Sequence, residues 1–228
     1  MAVFSAVAVC ASMAGSASAA AIRTGFSSNS LAANDDGSAP MTSLGFTANL
    51  FGNSFSQTYV NNNGNLTFTG AFGDYTPTSI AGSNTPIVAP FFVDVDTTVT
   101  GSSIVTYGTG TVNGYAAFAA NYVNVGYYGS TATKNNSFQV VLINRPDTGT
   151  GNFDIEFNYD QVQWETGTAS GGNADGLGGS SARAGYSNGL SGAANVSYEF
   201  PGSAVNGAFL DGGPAGTSLI ANSLNKMQ

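Results

Sequence analysis

Between Gly45 and Phe200, short apolar runs alternate with clusters of Gly, Asn, Ser, Thr and Pro, the pattern of a domain built from strands. The runs predict strands at Leu44–Phe51, Thr58–Thr69, Ile87–Val95, Ser103–Tyr107, Tyr115–Tyr128, Ser137–Asn144, Phe153–Asp160, Arg183–Ser187 and Val196–Phe200. The sharpest pattern is Asn152–Asp160, where every odd position is apolar and every even one polar. One face of that strand should pack the core and the other meet solvent. The phase then flips, with Val162 and Trp164 on even numbers, which predicts a bulge or bend near Asp160-Gln161. Ala116–Ala120 and Val140–Ile143 are apolar on both parities and read as central strands covered on both sides. Tight turns are expected at Asn61–Gly64 and Gly149–Asn152. No long stripe of helical period follows the N-terminal segment, so one or two short helices are the most expected. The reading is an all-β, single-domain antiparallel β-sandwich or partly closed barrel with long Gly/Ser/Asn-rich loops. The longest such loop, Gly167–Ser181, has Leu177 as its only large apolar residue, and a loop of that length is either functional or a flexible connection.

The N-terminus reads differently. Ala2–Ala14 is apolar and runs into the small residues Gly15–Ala21, which predicts a signal peptide over residues 1–20, although no Lys or Arg precedes it. That stretch is too short for a stable membrane span, and no later run is as apolar. One domain, residues 21–228, is then expected in a secreted, extracellular product, and cleavage would remove Cys10, the only cysteine.

Composition narrows the chemistry. The chain carries 13 acidic and 5 basic residues, no histidine, and a net charge of −8. Its polar surface must therefore be made of Asn, Ser, Thr and Gly, which suits sheets and turns. Absent histidine excludes Ser-His-Asp and Cys-His nucleophiles and imidazole metal sites. A single cysteine excludes structural zinc and disulfides within the chain. The acidic balance argues against a nucleic-acid partner. Carboxylates, hydroxyls, amides and backbone remain.

Three constellations use what remains. Asp94-Val95-Asp96 sets two carboxylates on one side of an extended segment. They could hold Ca²⁺, serve as an acid–base pair, or simply end a strand by capping the Thr97-Thr98 turn. Asp154, Glu156 and Asp160 share the polar face of their strand, either a solvated face or a cation or sugar site. Trp164-Glu165 combines the only Trp with a carboxylate, as a core residue or as a sugar-binding platform. The glycine segments Gly171-Gly172 and Gly176–Gly179 lack the following Gly-Lys-Ser/Thr of a phosphate loop.

Five segments occur in order: Tyr59–Phe68, Ala89–Thr97, Phe153–Gly167, Ala184–Gly189 and Phe200–Ser203. Together they resemble the nidogen-type extracellular domain (NIDO) over about residues 45–220, in a secreted bacterial member. The resemblance implies an all-β extracellular module associated with cell–matrix adhesion, and it carries over no active site. It also implies a further short strand past Leu224 and, in bacterial members, a sorting tail; the chain stops at Gln228 without either pattern, which reads as a shortened product.

The expected function is an exported, non-enzymatic adhesion or matrix-interaction module. Its partner would be a glycan or protein of the extracellular matrix or cell surface, and Asp94 and Asp96 would be the residues for any calcium. Asp154, Glu156, Trp164 and Glu165 would contact the ligand. One alternative is a glycoside hydrolase using two of Asp94, Asp96, Glu156 and Glu165, which needs a cleft with carboxyl groups roughly 5–9.5 Å apart. Another is a calcium-stabilised structural domain of a surface or biofilm protein.

Overall fold

The computed structural model describes residues 21–130 and 134–220, and the backbone of Lys226–Met227. The expected signal peptide lies outside the described residues. Among the described residues thirteen strands run in chain order: β1 (Asn29–Ser30), β2 (Thr42–Leu50), β3 (Asn53–Asn61), β4 (Asn65–Thr67), β5 (Pro86–Phe92), β6 (Val95–Asp96), β7 (Thr106–Val112), β8 (Tyr115–Tyr127), β9 (Asn136–Asn144), β10 (Phe153–Gln161), β11 (Arg183–Asn188), β12 (Ser197–Glu199) and β13 (Lys226–Met227). One sheet has the order β1-β7-β8-β9-β10-β13, with β6 paired to β8; the other has the order β12-β11-β5-β4-β3-β2. The pairs are antiparallel throughout. Two open sheets facing one another make a sandwich, so the barrel alternative falls. Among the described residues the only helical turns are short 3-10 segments at Thr168–Ser170 and Gly192–Ala194.

Large side chains from both inner faces fill the space between the sheets. Phe91 of β5 meets Phe138 at 5.3 Å, Phe209 at 6.1 Å and, edge-on, Trp164 at 6.2 Å between ring centroids. Tyr122 stacks on Phe138 at 4.7 Å. Fully burying one such side chain contributes about 1.5–3 kcal/mol. The buried tyrosines also tie the two sheets through their hydroxyls: Tyr122 donates to the Asn61 carbonyl at 2.7 Å, and Tyr159 to the Pro90 carbonyl at 2.7 Å. Both phenols are held far above their ordinary pKa by burial and stay protonated.

The phase flip has the expected cause. Tyr159 faces Phe138 but Gln161 faces Ser137, so Asp160 is the extra residue of a bulge. The bulge returns Val162 and Trp164 to the core face, where both are fully buried. Double coverage of β8 and β9 also holds: Phe118, Ala120, Val140 and Leu142 face the main core, while Ala117, Ala119, Val141 and Ile143 pack with Phe26 and Val112 outside it. The Asn62–Gly64 turn presses against β5. A Cβ on Gly64, at φ +74°, would sit 1.9 Å from the Phe91 carbonyl oxygen, so only glycine fits there. At the far edge, Lys226 and Met227 pair with Glu156 and Ile155, so a short strand past Leu224, which the sequence was read as lacking, is present.

Candidate functional site

Asp94 and Asp96 engage different partners. Asp96 accepts from the Thr98 backbone N–H at 2.8 Å and the Thr98 hydroxyl at 2.6 Å, so it caps its own turn. Asp94 lies between β5 and β6, only 1% exposed, and its carboxylate faces the adjacent pair Asp35-Asp36. One carboxylate oxygen from each of the three lies within 4.8 Å of the others. Asp94 Oδ2 and Asp35 Oδ1 are buried without a hydrogen-bond partner. Burial first, then the carboxylates of Asp35, Asp36 and Asp96, pushes Asp94 up to about 7; burial, then Asp36 and Asp96, pushes Asp35 up to about 6. Gly167 closes the other side, where a Cβ would lie 2.1 Å from Asp94 Oδ2.

The Asn run fixes this arrangement. Asn62 Nδ2 donates to the carbonyls of Asn34, Asp35 and Val95. Asn63 Nδ2 donates to Asp36 Oδ1 at 2.8 Å, and Asn63 Oδ1 accepts from the Val95 N–H at 3.0 Å. Thr97 clamps the same segment, its hydroxyl donating to the Asn34 carbonyl at 2.8 Å and accepting from the Asn34 N–H at 2.9 Å. Both Asn62 and Asn63 are fully buried.

The polar face of β10 is not solvated, contrary to the alternation. Asp154, Glu156 and Asn158 are all buried, and only Asp160, the bulge residue, is exposed. Residues 22–26 cross that face as a strap. The Gln139 side chain exchanges two hydrogen bonds with the Arg23 backbone, at 3.0 and 2.8 Å. Gln139 Nε2 also donates to Asn121 Oδ1 at 2.6 Å, and Asn158 Nδ2 donates to Gln139 Oε1 and Glu156 Oε1, each at 2.9 Å. Arg23 closes the row with a two-pronged ion pair to Glu156. Asn121, Gln139 and Asn158 are register neighbours on β8, β9 and β10, so the sheet itself aligns the row.

Trp164 and Glu165 are both fully buried, which removes them as ligand contacts and makes them supports. The indole N–H donates to the Val125 carbonyl at 3.2 Å. The Glu165 carboxylate receives the backbone N–H groups of Gly207 and Phe209, each at 2.6 Å. Burial raises its pKa, and those donors offset part of the rise. Its backbone binds Gly176 and Ala182, anchoring the Gly167–Ser181 loop as an ordered cover.

Asp154 alone of the expected contacts borders open space. It pairs with Arg145 at 2.7 Å on the wall of a groove of about 510 Å³ lined also by Asn49, Phe51, Asn152 and Tyr186. The Phe51 ring, 41% exposed, stacks on Tyr186 with centroids 5.1 Å apart.

A family profile described as NIDO related matches residues 12–210. The chain belongs to the NIDO-related family. Alpha-tectorin of Homo sapiens is 35% identical over 177 residues, covering 68% of this chain and 8% of the relative. Alpha-tectorin of Gallus gallus is 34% identical over 193 residues, covering 74% of this chain and 9% of the relative. The chain thus spans less than a tenth of the length of the curated relatives it matches. No solved structure matches it significantly.

In this NIDO-related domain the carboxylate pair of a glycosidase is not assembled from the four residues expected to supply it. Glu156 is locked to Arg23 on the outer face, Glu165 is sealed against backbone donors, and Asp96 is a turn cap. The only carboxylate lining the groove is Asp154. Sequence reading missed Asp35, Asp36, Arg23, Asn62 and Gln139. Two signals pointed to them: adjacent acids in a chain with so few charges, and a lone Gln opening the doubly covered run Val140–Ile143.

Proposed function

We propose that this chain is an exported, non-enzymatic matrix-interaction module that binds a matrix glycan in the groove between the β2–β3 turn, the β9–β10 hairpin and β11. The observation that carries the reading is the exposed Phe51 ring stacked on Tyr186 beside Arg145, Asp154, Asn49 and Asn152. Aromatic faces suit the C–H faces of sugars, and the planar polar groups around them suit hydroxyls. Family membership supports an extracellular setting, and similarity to alpha-tectorin supports a matrix partner. A mature chain with neither cysteine nor histidine supports a secreted bacterial member held together by core burial.

The test is a glycan array probed with the purified chain and with Phe51→Ala and Asp154→Asn. Binding that falls at least tenfold in Phe51→Ala, with thermal stability little changed, is the expected result. No glycan bound, or unaltered binding by Phe51→Ala, would overturn the reading; capture by a matrix protein through the same groove would move the assignment to a protein partner.

A further inference from the structure

We propose that Asp35, Asp36 and Asp94 form a calcium site that fastens the N-terminal segment to the corner between β5 and β6. The site is separate from the groove and stands or falls independently of the glycan reading. Two oxygens on opposite sides of one calcium ion, with bonds of 2.3–2.6 Å, span up to about 5 Å. The three carboxylates stay within 4.8 Å of one another, inside that span. The donors are oxygen only, the preference of a hard cation.

Asp94 supplies the independent observation. It is only 1% exposed, and its Oδ2 receives no hydrogen bond. A buried carboxylate needs a compensating charge or donors. No basic side chain provides one among the described residues: Arg23 pairs with Glu156, Lys134 with Asp175, Arg145 with Asp147 and Asp154, and Arg183 with Glu199. These four described cations are thus engaged elsewhere, which leaves the cluster to a cation from solution. Asp36 is exposed, which gives the ion a way in. Gly167 and Asn63 close the inner side, the first by its missing Cβ and the second by holding Asp36 Oδ1 at 2.8 Å.

The experiment is calorimetric titration of the chelator-stripped chain with calcium chloride, together with thermal unfolding in calcium and in chelator. One saturable site per chain is expected. At a hundredfold excess over Kd the unfolding midpoint should rise by about 5–10 °C. Asp94→Asn should abolish the site. Asp36→Asn, at an exposed position that leaves folding intact, should weaken it at least tenfold, and it carries the test if Asp94→Asn does not fold. Asp96→Asn should keep one site per chain. No saturable binding with an unchanged midpoint, or wild-type binding by Asp36→Asn, overturns the proposal. An equal midpoint shift with magnesium at the same concentration overturns the assignment to calcium.

Discussion

Two buried polar regions of this sandwich use the same residue types and end in opposite states. On the outer face of β8–β10, Asn121, Gln139, Asn158 and Glu156 form a row in which each amide meets a neighbour and Arg23 neutralises the carboxylate. At the β5–β6 corner, Asn62 and Asn63 are equally well engaged, yet the carboxylates of Asp35 and Asp94 keep oxygens with no donor. The difference is one positive charge. A strap residue brings it to the first region, and nothing among the described residues brings it to the second. Buried polar groups as such therefore do not mark a site in this protein; an incomplete set does.

Breaking the complete row should have the largest effect. Gln139→Ala strands Asn121 Oδ1 and both backbone groups of Arg23, leaves Asn158 Nδ2 with Glu156 as its remaining acceptor, and should lower stability by about 2–4 kcal/mol in urea unfolding, with or without calcium. Gly167→Ala attacks the incomplete region by driving a Cβ into the Asp94 carboxylate, and a loss of about 1–3 kcal/mol is expected. Its calcium response should weaken along with its stability, which Gln139→Ala should not show. Asp94→Asn reverses the sign: in chelator it should leave stability unchanged or raise it by about 1 kcal/mol, because a buried carboxylate without donors is removed. In calcium it should forgo the wild-type gain. Asp96→Asn is the mildest of the destabilising changes, about 1 kcal/mol from a weakened turn cap, with calcium response retained.

The strands were legible because their signal is local. Alternation along Phe153–Tyr159 and its reversal at Val162 announced both the inward face and the bulge at Asp160. The opposite face was misread for a physical reason: alternation separates apolar from polar residues, not buried from exposed ones. Glu156 and Asn158 are polar and buried because residues 22–26 return to cover them. Asp94 was singled out, but its partner was taken from its own strand. The true neighbours, Asp35 and Asp36, come from a distant segment whose approach is set by Asn62 and Thr97, and no spacing rule encodes such a contact. Trp164-Glu165 was read either as core or as a ligand platform; the bulge that the same sequence announced decides between them by turning Trp164 into the core.

The central claim is that the carboxylates of the β5–β6 corner hold one calcium ion. A crystal structure of the chain grown in calcium tests it most directly. The account predicts an ion peak with oxygens of Asp35, Asp36 and Asp94 about 2.3–2.6 Å away. A corner with no such peak, in which Asp94 and a neighbouring carboxylate share a proton at an O···O distance of about 2.5–2.7 Å, would contradict it.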